Sequence, residues 1–433
     1  MKAGADRRVL IAGGGPVGLF TALLLARQGI DVRVFDENAA LQEDPRAATT
    51  HPGTLEILGA EGLVEDMARV GLVAPTFQFW DRPTGECVAE FDHALLADDT
   101  RHPYVIQCEQ FKTATLILQR LQALPNVEVL FNHRVTEVTQ TDAAVTVVVE
   151  GPAGVQRHTG SYLVGADGGR SVVRKQCGIP FEGFTWEERF IVLTTPFDFA
   201  ASRGYGYRSY FADPEEWCNC FKVSGKGPPG LWRTVYPADP RLTENELLAD
   251  AAVEARLQRL FPRGQPYEVV HRNLYTTHQR IAKTFRAGRV LLAGDAAHVN
   301  NPIGGMGLNG GLQDAGNLGE KLAQVLLGGG PDALFDLYDL QRRTIACEFV
   351  QQQTIANKQR LEERDPVKRR RNLDELRAIA ADPQRARQFL RGTAMLASQR
   401  RAAALTLADL GSGDAGHGVQ GEARPVTGGE QCR

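Results

Sequence analysis

The segment from Arg8 to Asp36 leaves the chain few choices. Arg8-Val9-Leu10-Ile11-Ala12 is a continuous apolar run, the pattern of a strand buried on both faces of a parallel sheet. Gly13-Gly14-Gly15-Pro16-Val17-Gly18 follows. Leu19 to Arg27 then reads as a helix that Gly29 stops, and Asp31 to Phe35 as a second strand ending at Asp36 and Glu37. This is a dinucleotide fingerprint in its required setting. Gly13 permits the tight turn, Gly15 lets backbone approach a pyrophosphate, and Gly18 allows helix and strand to pack closely. The helix N-terminus that begins at Pro16 offers free N–H groups from the residues after it to phosphate, and Asp36 stands where an acid takes ribose hydroxyls. The bland alternative is a glycine turn serving only helix–sheet packing. The fingerprint by itself does not separate NAD from FAD.

Two later segments repeat the theme of a strand followed by glycine and aspartate. Tyr162 to Arg174 reads YLVGADGGRSVVR, with Asp167 and Gly168 after the strand. Arg289 to Ala293 is a plain apolar strand, and Gly294 to Gly311 (GDAAHVNNPIGGMGLNGG) follows with six glycines. Such a stretch cannot fill a core, so its bare backbone must approach something closely.

In this order and at these separations the three motifs resemble the FAD-dependent aromatic hydroxylases, single-component flavoprotein monooxygenases of the para-hydroxybenzoate hydroxylase and phenol hydroxylase type, over residues 7–345. The resemblance implies an α/β fold: a Rossmann-like FAD-binding domain interleaved with a mixed-sheet substrate domain, then a helical C-terminal region. It implies FAD as cofactor, NADH or NADPH as a transient electron donor, and O2 as co-substrate. The reaction it implies is hydroxylation of a small aromatic (a phenol, hydroxybenzoate, aminophenol or hydroxypyridine) through a flavin C4a-hydroperoxide. Carried over residue by residue, Gly13, Gly15, Gly18 and Asp36 fall on ADP-binding positions, with Pro16, Val17 and Glu37 beside them. Gly294 and Asp295 fall on the pair holding the ribityl side of the flavin. Asp167 matches an acid supporting the pyrophosphate; a carboxylate beside a diphosphate is repulsive, so ordering its own loop is an equal reading. Arg46 and Gln107 match flavin-side contacts, and Gln107 is otherwise an ordinary strand glutamine. Asn300 to Asn309, with Pro302, Gly305, Gly307, Leu308 and Asn309, is expected to wrap the isoalloxazine edge. The pattern departs at Gly53, where many relatives carry a second arginine, and at Asn301, where many carry proline. Asn301 and Pro302 are therefore candidates for meeting the substrate.

The resemblance suggests discontinuous domains: FAD-binding in 1–75, 101–180 and 281–330, a substrate sheet in 76–100 and 181–280, and C-terminal helices in 331–410. The sheet stretches alternate as strands rich in aromatics. Most of those aromatics must fill core; Tyr207, Arg208 and Tyr210 are the candidates for substrate contact, since a phenol needs an acceptor and a carboxylate an arginine. His51 and His298 are tempting bases, yet each sits beside a cofactor motif, where a lone histidine is more often a structural hydrogen-bonder.

Other function classes are weaker. No second complete GxGxxG follows a strand, since Gly328-Gly329-Gly330 precede Pro331 in a loop, which argues against reductases with two dinucleotide domains. The tryptophan–isoleucine–proline segment of flavin halogenases is missing. An alkene reductase or a flavin-binding sensor without turnover stays open. A net charge of −3 over 433 residues gives no footprint for nucleic acid, and acids following Lys368-Arg369-Arg370-Arg371 make that run a solvated helix face. The longest apolar run, Leu19 to Ala26, is too short to span a bilayer, and the first residues lack a signal-peptide core. Scattered cysteines, with Cys218 and Cys220 at alternate strand positions, make a poor metal site, so no metal and a cytoplasmic setting are expected. A homodimer is compatible with the sequence, and residues 411–433 are too poor in apolar side chains to order.

Overall fold

Apolar strands and glycine turns organise the N-terminal half around one parallel sheet. The structure is a computed structural model that describes residues 7–44 and 47–411. Arg46, and all of the expected tail except Gly411, lie outside the described residues. The parallel sheet runs in the order Arg286–Ala287, Val290–Leu292, Tyr162–Gly165, Val9–Ala12, Val32–Phe35, Val127–Leu130, with only the first pair antiparallel. Val9 sits level with Tyr162 and Leu163 with Val290, all parallel, so the three glycine-bearing strand ends emerge from one edge. Ligands in open α/β sheets bind outside that carboxyl edge.

The helix Pro16–Arg27 covers this sheet with Leu19, Phe20, Leu23 and Leu25 fully buried. Each such side chain contributes about 1.5–3 kcal/mol of transfer free energy. Its outer side meets the 22-residue helix Met306–Leu327, where Gly319 accommodates Leu24 and Gly311 accommodates Val17.

A second, eight-stranded sheet is mixed. Its order is His298–Val299, His271–Ala282, Phe181–Thr195, Leu231–Ala238, Cys218–Val223, Arg208–Ala212, Thr76–Asp81, Glu86–Asp92. All neighbours are antiparallel except Arg208–Ala212 beside Thr76–Asp81. Period-2 alternation sends the side chains of each strand to opposite faces. One face carries Phe77, Phe79, Phe190 and Val235 and lies under the C-terminal helices; the other carries Trp80, Ile191, Trp232 and Tyr236 and lies under the helix Asp250–Leu260. The short strand His298–Val299 edges this sheet although it follows directly on the second Gly-Asp turn, so the two sheets are joined at that point.

The C-terminal region is helical: Leu334–Ile345, a π-helical turn Ala346–Gln351, then Gln352–Glu362, Pro366–Ala381, Pro383–Thr393 and Leu396–Ala404. The basic run 368–371 is not wholly solvated: Arg369 pairs with Asp81. Arg377 pairs with Glu86, and Arg387, Arg391 and Arg400 converge on Asp99 at 2.8, 3.0 and 2.7 Å. Ion pairs thus fasten these helices over the sheet. Among the described residues no helix is long and apolar enough to cross a membrane, no group of acids, histidines and cysteines is arranged to hold a metal, and the cysteines are free thiols.

Candidate active site

The glycines of the first turn do different jobs. A Cβ at Gly13 would lie 2.2 Å from the Ala166 carbonyl oxygen, and one at Gly18 would lie 2.0 Å from the Gly13 carbonyl oxygen. Packing within the chain requires both. Gly15 is different: its φ is −75° and a Cβ there would meet nothing within 4 Å. The chain itself gives no reason for glycine at this position, so the approach of an outside group is the remaining one. Gly15 also caps the helix Pro16–Arg27 without any side-chain hydrogen bond, which leaves helix N–H groups facing that open space.

Acids flank the same turn. The Asp36 carboxylate accepts from the Gly14 N–H at 2.6 Å and from Asn38, which holds it at the turn. Glu37 is exposed and faces Arg134 at 3.9 Å. Asp295 stands exposed between buried Gly294 and Ala296, and the Gly294 turn (φ +62°) packs on the Val17 side chain. Asp167 is engaged by its own loop: it accepts from the Ser171 hydroxyl at 2.5 Å and the Val173 N–H at 3.0 Å, and burial raises its carboxyl pKa. Arg174 then ties that loop to the second turn by donating to the carbonyls of Gly169 and Ala296, both at 2.8 Å.

Below the Gly294 turn lies a buried network that the sequence did not reveal. Asp314, fully buried, accepts from the Gly294 N–H at 3.0 Å, from His298 Nε2 at 2.8 Å and from Arg342 at 2.6 Å. Its contacts with His298 and Arg342 hold the carboxyl low despite burial. His298 is therefore a brace for the turn.

The loop Asn300–Gly305 links these turns to a pocket. Asn301 is fully buried, but its backbone N–H donates to Gln279 Oε1 at 3.0 Å and its Oδ1 accepts from the Ile303 N–H at 3.1 Å. The amide expected to meet substrate is occupied in shaping the loop. Pro302 is exposed outside the pocket, and Leu308 points into the core. Gly305 (φ +69°) starts the helix Met306–Leu327 against Thr49. Asn309 staples that helix start to residues 49–51: its amide donates to the Thr49 and Gly305 carbonyls, and its Oδ1 accepts from the His51 N–H at 2.8 Å. Gly307 is left only lightly restrained, its nearest neighbour being Asn300 Oδ1. Gln107 joins the cluster through Thr49, whose hydroxyl donates to Gln107 Oε1 at 2.9 Å, while the fully buried Gln107 Nε2 has no partner. An unpaired buried amide is costly, so this orphan donor marks a place for an outside acceptor.

The pocket lies between the eight-stranded sheet, this loop and the C-terminal helices. His51, Phe77, Phe79, Arg208 and Tyr210 line one side; Ile303, Gly304 and Met306 line the loop side; Gln353, Asn357, Leu361, Phe389 and Thr393 come from the helices. Sequence reasoning found His51, Arg208 and Tyr210 but not the helical contribution. Gln353, Asn357 and Leu361 are spaced four apart along one helix face, a polar interruption of an apolar stripe that was the available signal. Tyr207 is not part of this wall. One residue from Arg208, it turns to the opposite sheet face and meets Trp232 edge-on at 6.3 Å. Gly53 also has a local reason: a Cβ there would lie 2.8 Å from the Met395 carbonyl oxygen, so the docked C-terminal segment excludes any larger side chain, the arginine expected from the resemblance included.

Two groups set the pocket's chemistry. Arg208 is 5% exposed, lies 5.1 Å from the Phe77 ring and donates to the Tyr210 hydroxyl at 3.1 Å, with no acidic partner among the described residues. His51 is buried, and desolvation, then the Arg208 charge, pull its pKa well below 6.5. Its Nε2 lies 2.8 Å from the Gly304 carbonyl, which can only accept, so Nε2 carries the proton. Nδ1 is buried without a partner among the described residues and presents a lone pair.

A family model described as "FAD binding domain" matches residues 6–353. The chain belongs to the FAD binding domain family. This FAD-binding chain is 38% identical over 386 residues to para-nitrophenol 4-monooxygenase of Pseudomonas sp. (strain WBC-3), covering 88% of this chain and 94% of that one. It is 34% identical to 6-hydroxy-3-succinoylpyridine 3-monooxygenase HspB of Pseudomonas putida (strain DSM 28022 / S16), over 89% and 97% of the two chains. The crystal structure of p-nitrophenol 4-monooxygenase PnpA from Pseudomonas putida DLL-E4 superposes with a TM-score of 0.84 at 35% identity, covering 91% of this chain and 97% of that one. FAD fits the residues present: open space over Gly15, free helix N–H groups beside it, exposed Asp295, and the orphan Gln107 amide.

Proposed function

We propose that this chain is a FAD-dependent aromatic monooxygenase, taking electrons from NADH or NADPH and placing one oxygen atom of O2 on a small phenolic or hydroxypyridine ring. Its relatives' named activities on a nitrophenol and a hydroxypyridine support that class. The observation that carries the reading is one pocket holding a neutral imidazole lone pair and a guanidinium that has no counter-ion among the described residues.

Bound FAD would supply the redox chemistry, the uptake of two electrons and the activation of O2. The turn from Gly13 to Gly18, Asp36, Gln107 and the Gly294-Asp295 turn would hold it. The chain's own contribution is position and charge. A phenol hydroxyl donates to His51 Nδ1, which orients the ring. Arg208 stabilises negative charge on the phenol oxygen, so the ring becomes more electron-rich and a better nucleophile. Imidazolium is disfavoured by burial and by Arg208, so His51 accepts a hydrogen bond while Arg208 carries the charge. Phe77, Phe79, Leu361 and Phe389 wall the pocket with apolar surface that excludes water.

The test is oxidation of NADH and NADPH by FAD-loaded protein with a panel of phenols and hydroxypyridines under 18O2, with products read by mass spectrometry. The reading expects one labelled oxygen in a product and faster nicotinamide oxidation with that aromatic. No acceleration and no labelled product from any member would sink it.

A further inference from the structure

The reaction proposed above needs an acceptor and a positive charge, and His51 with Arg208 supplies both. The pocket holds more polarity than that. Gln353 and Asn357 stand one turn apart on the helix Gln352–Glu362, both half-buried, both lining the cavity. Neither side chain makes a hydrogen bond within the described residues, whereas nearby Gln351 donates to the Arg280 and Val299 carbonyls and Thr354 accepts from Gln279. Asn357 reaches the loop face: a Cβ at Gly304 would lie 3.0 Å from its Nδ2. Around the two amides the wall is apolar, from Ile303, Leu361 and Phe389.

Two free amides set in an apolar wall are a hydrogen-bonding subsite. They are neutral, so they do not favour a full anion as Arg208 does; their NH2 groups suit an oxygen acceptor of dispersed charge. We infer that Gln353 and Asn357 form a specificity subsite for a second, acceptor-bearing ring substituent, of the nitro or acyl class, on the phenol that His51 and Arg208 orient. The inference rests on the proposed hydroxylase reading for its reaction, but not for its binding.

The test compares 4-nitrophenol and 4-hydroxyacetophenone with 4-ethylphenol, which has similar bulk and no acceptor. The variants are Gln353→Leu and Asn357→Leu, with Gln353→Glu and Asn357→Asp, which keep the shape and remove the NH2 donor. Circular dichroism and FAD content report on folding. Equilibrium binding is read from the 4-nitrophenol absorbance band and, for the other ligands, by competition with it; turnover is read as kcat/KM. The acceptor-over-ethyl preference should fall about tenfold with each lost amide, and by a similar factor in the Glu and Asp forms. An unchanged preference, or an equal loss for all three phenols, overturns the subsite. If the wild-type protein shows the preference in binding but hydroxylates none of the phenols, the hydroxylase reading fails and the subsite stands. If it hydroxylates them with no dependence on either amide, the reverse holds. If 4-nitrophenol and 4-hydroxyacetophenone bind no better than 4-ethylphenol to the wild type, the subsite is lost.

Discussion

The Nε2–H of His51 donates to the Gly304 carbonyl across 2.8 Å, and this one bond decides what the ring can offer: a lone pair on Nδ1 and no second proton. Replacing His51 by Phe removes the acceptor while keeping a planar ring. We expect kcat/KM to fall about 10–100-fold on weakly acidic phenols, the loss of a buried hydrogen-bond acceptor, and less on phenols that already ionise near neutral pH. A series of phenols of graded acidity assayed with His51→Phe checks this. Equal losses along the series would remove His51 from the reaction.

His51 also leaves a mark on stability. Its pKa is lowered in the folded chain, so below about pH 6.5 the unfolded chain binds a proton that the folded one refuses. Stability is therefore undiminished by this group above the unfolded pKa and declines as pH falls beneath it. Thermal melts of wild type and His51→Phe between pH 5 and 8 should diverge on the acid side, with the wild type losing more.

Arg208→Met keeps the bulk of the side chain and deletes the charge. Phenolate-forming substrates should bind about 10–100-fold more weakly, the loss expected of a charge-assisted contact in a buried site. Because Arg208 is the second cause of the lowered His51 pKa, the imidazole should titrate higher in the variant. Histidine proton NMR reads that directly; an unmoved resonance would mean that the two side chains do not communicate.

Asp99 is 3% exposed in its side chain and faces three arginines from the C-terminal helices. Hydrogen bonds from those arginines hold its carboxyl below the usual carboxylate range against the opposing effect of burial. The stability it contributes is present above the unfolded carboxylate pKa and lost as pH falls through the folded one. Asp99→Asn should cost about 2 kcal/mol and loosen the helices over the pocket. Denaturant titration and limited proteolysis between residues 364 and 405 check both parts.

Asn301→Pro would delete the N–H that donates to Gln279, and the Oδ1 that holds Ile303 would go with it. The expected result is a loss of about 1–3 kcal/mol with the order of substrate preference kept. A changed order would return Asn301 to the substrate side.

Much of this was legible in advance because it was local. The strand, glycine and helix order around Gly13 and around Gly294 is dictated by backbone requirements that appear directly in the residue types, and so is the alternation of the aromatic strands. Asn301 reads as a substrate candidate because a buried asparagine looks the same in sequence whether its partner is a ligand or, as its backbone N–H has here, a glutamine 22 residues away. Tyr207 and Arg208 are adjacent, and only the register of their strand sends one into the pocket and the other behind the sheet. The contributions of Gln353, Asn357 and Phe389 depend on how far-off helices dock, the first two on a helix that Lys358 pairs to Glu188 and the third on a helix whose arginines meet Asp99, ion pairs invisible to periodicity. The brace of His298, Asp314 and Arg342 is equally non-local.

The π-helical turn Ala346–Gln351 places one surplus residue in the helix just before the pocket wall. Removing a single residue there would turn everything downstream by about 100° without altering one side chain of the wall. Thr354, Lys358 and Glu362 would then take the places of Gln353, Asn357 and Leu361. The subsite would exchange its two amides for the Thr354 hydroxyl and the Lys358 ammonium, and the Glu362 carboxylate that pairs with that ammonium would enter in place of Leu361. Within this fold, a one-codon deletion far from any flavin motif is thus a route from a wall of neutral amides to a wall that carries an ion pair.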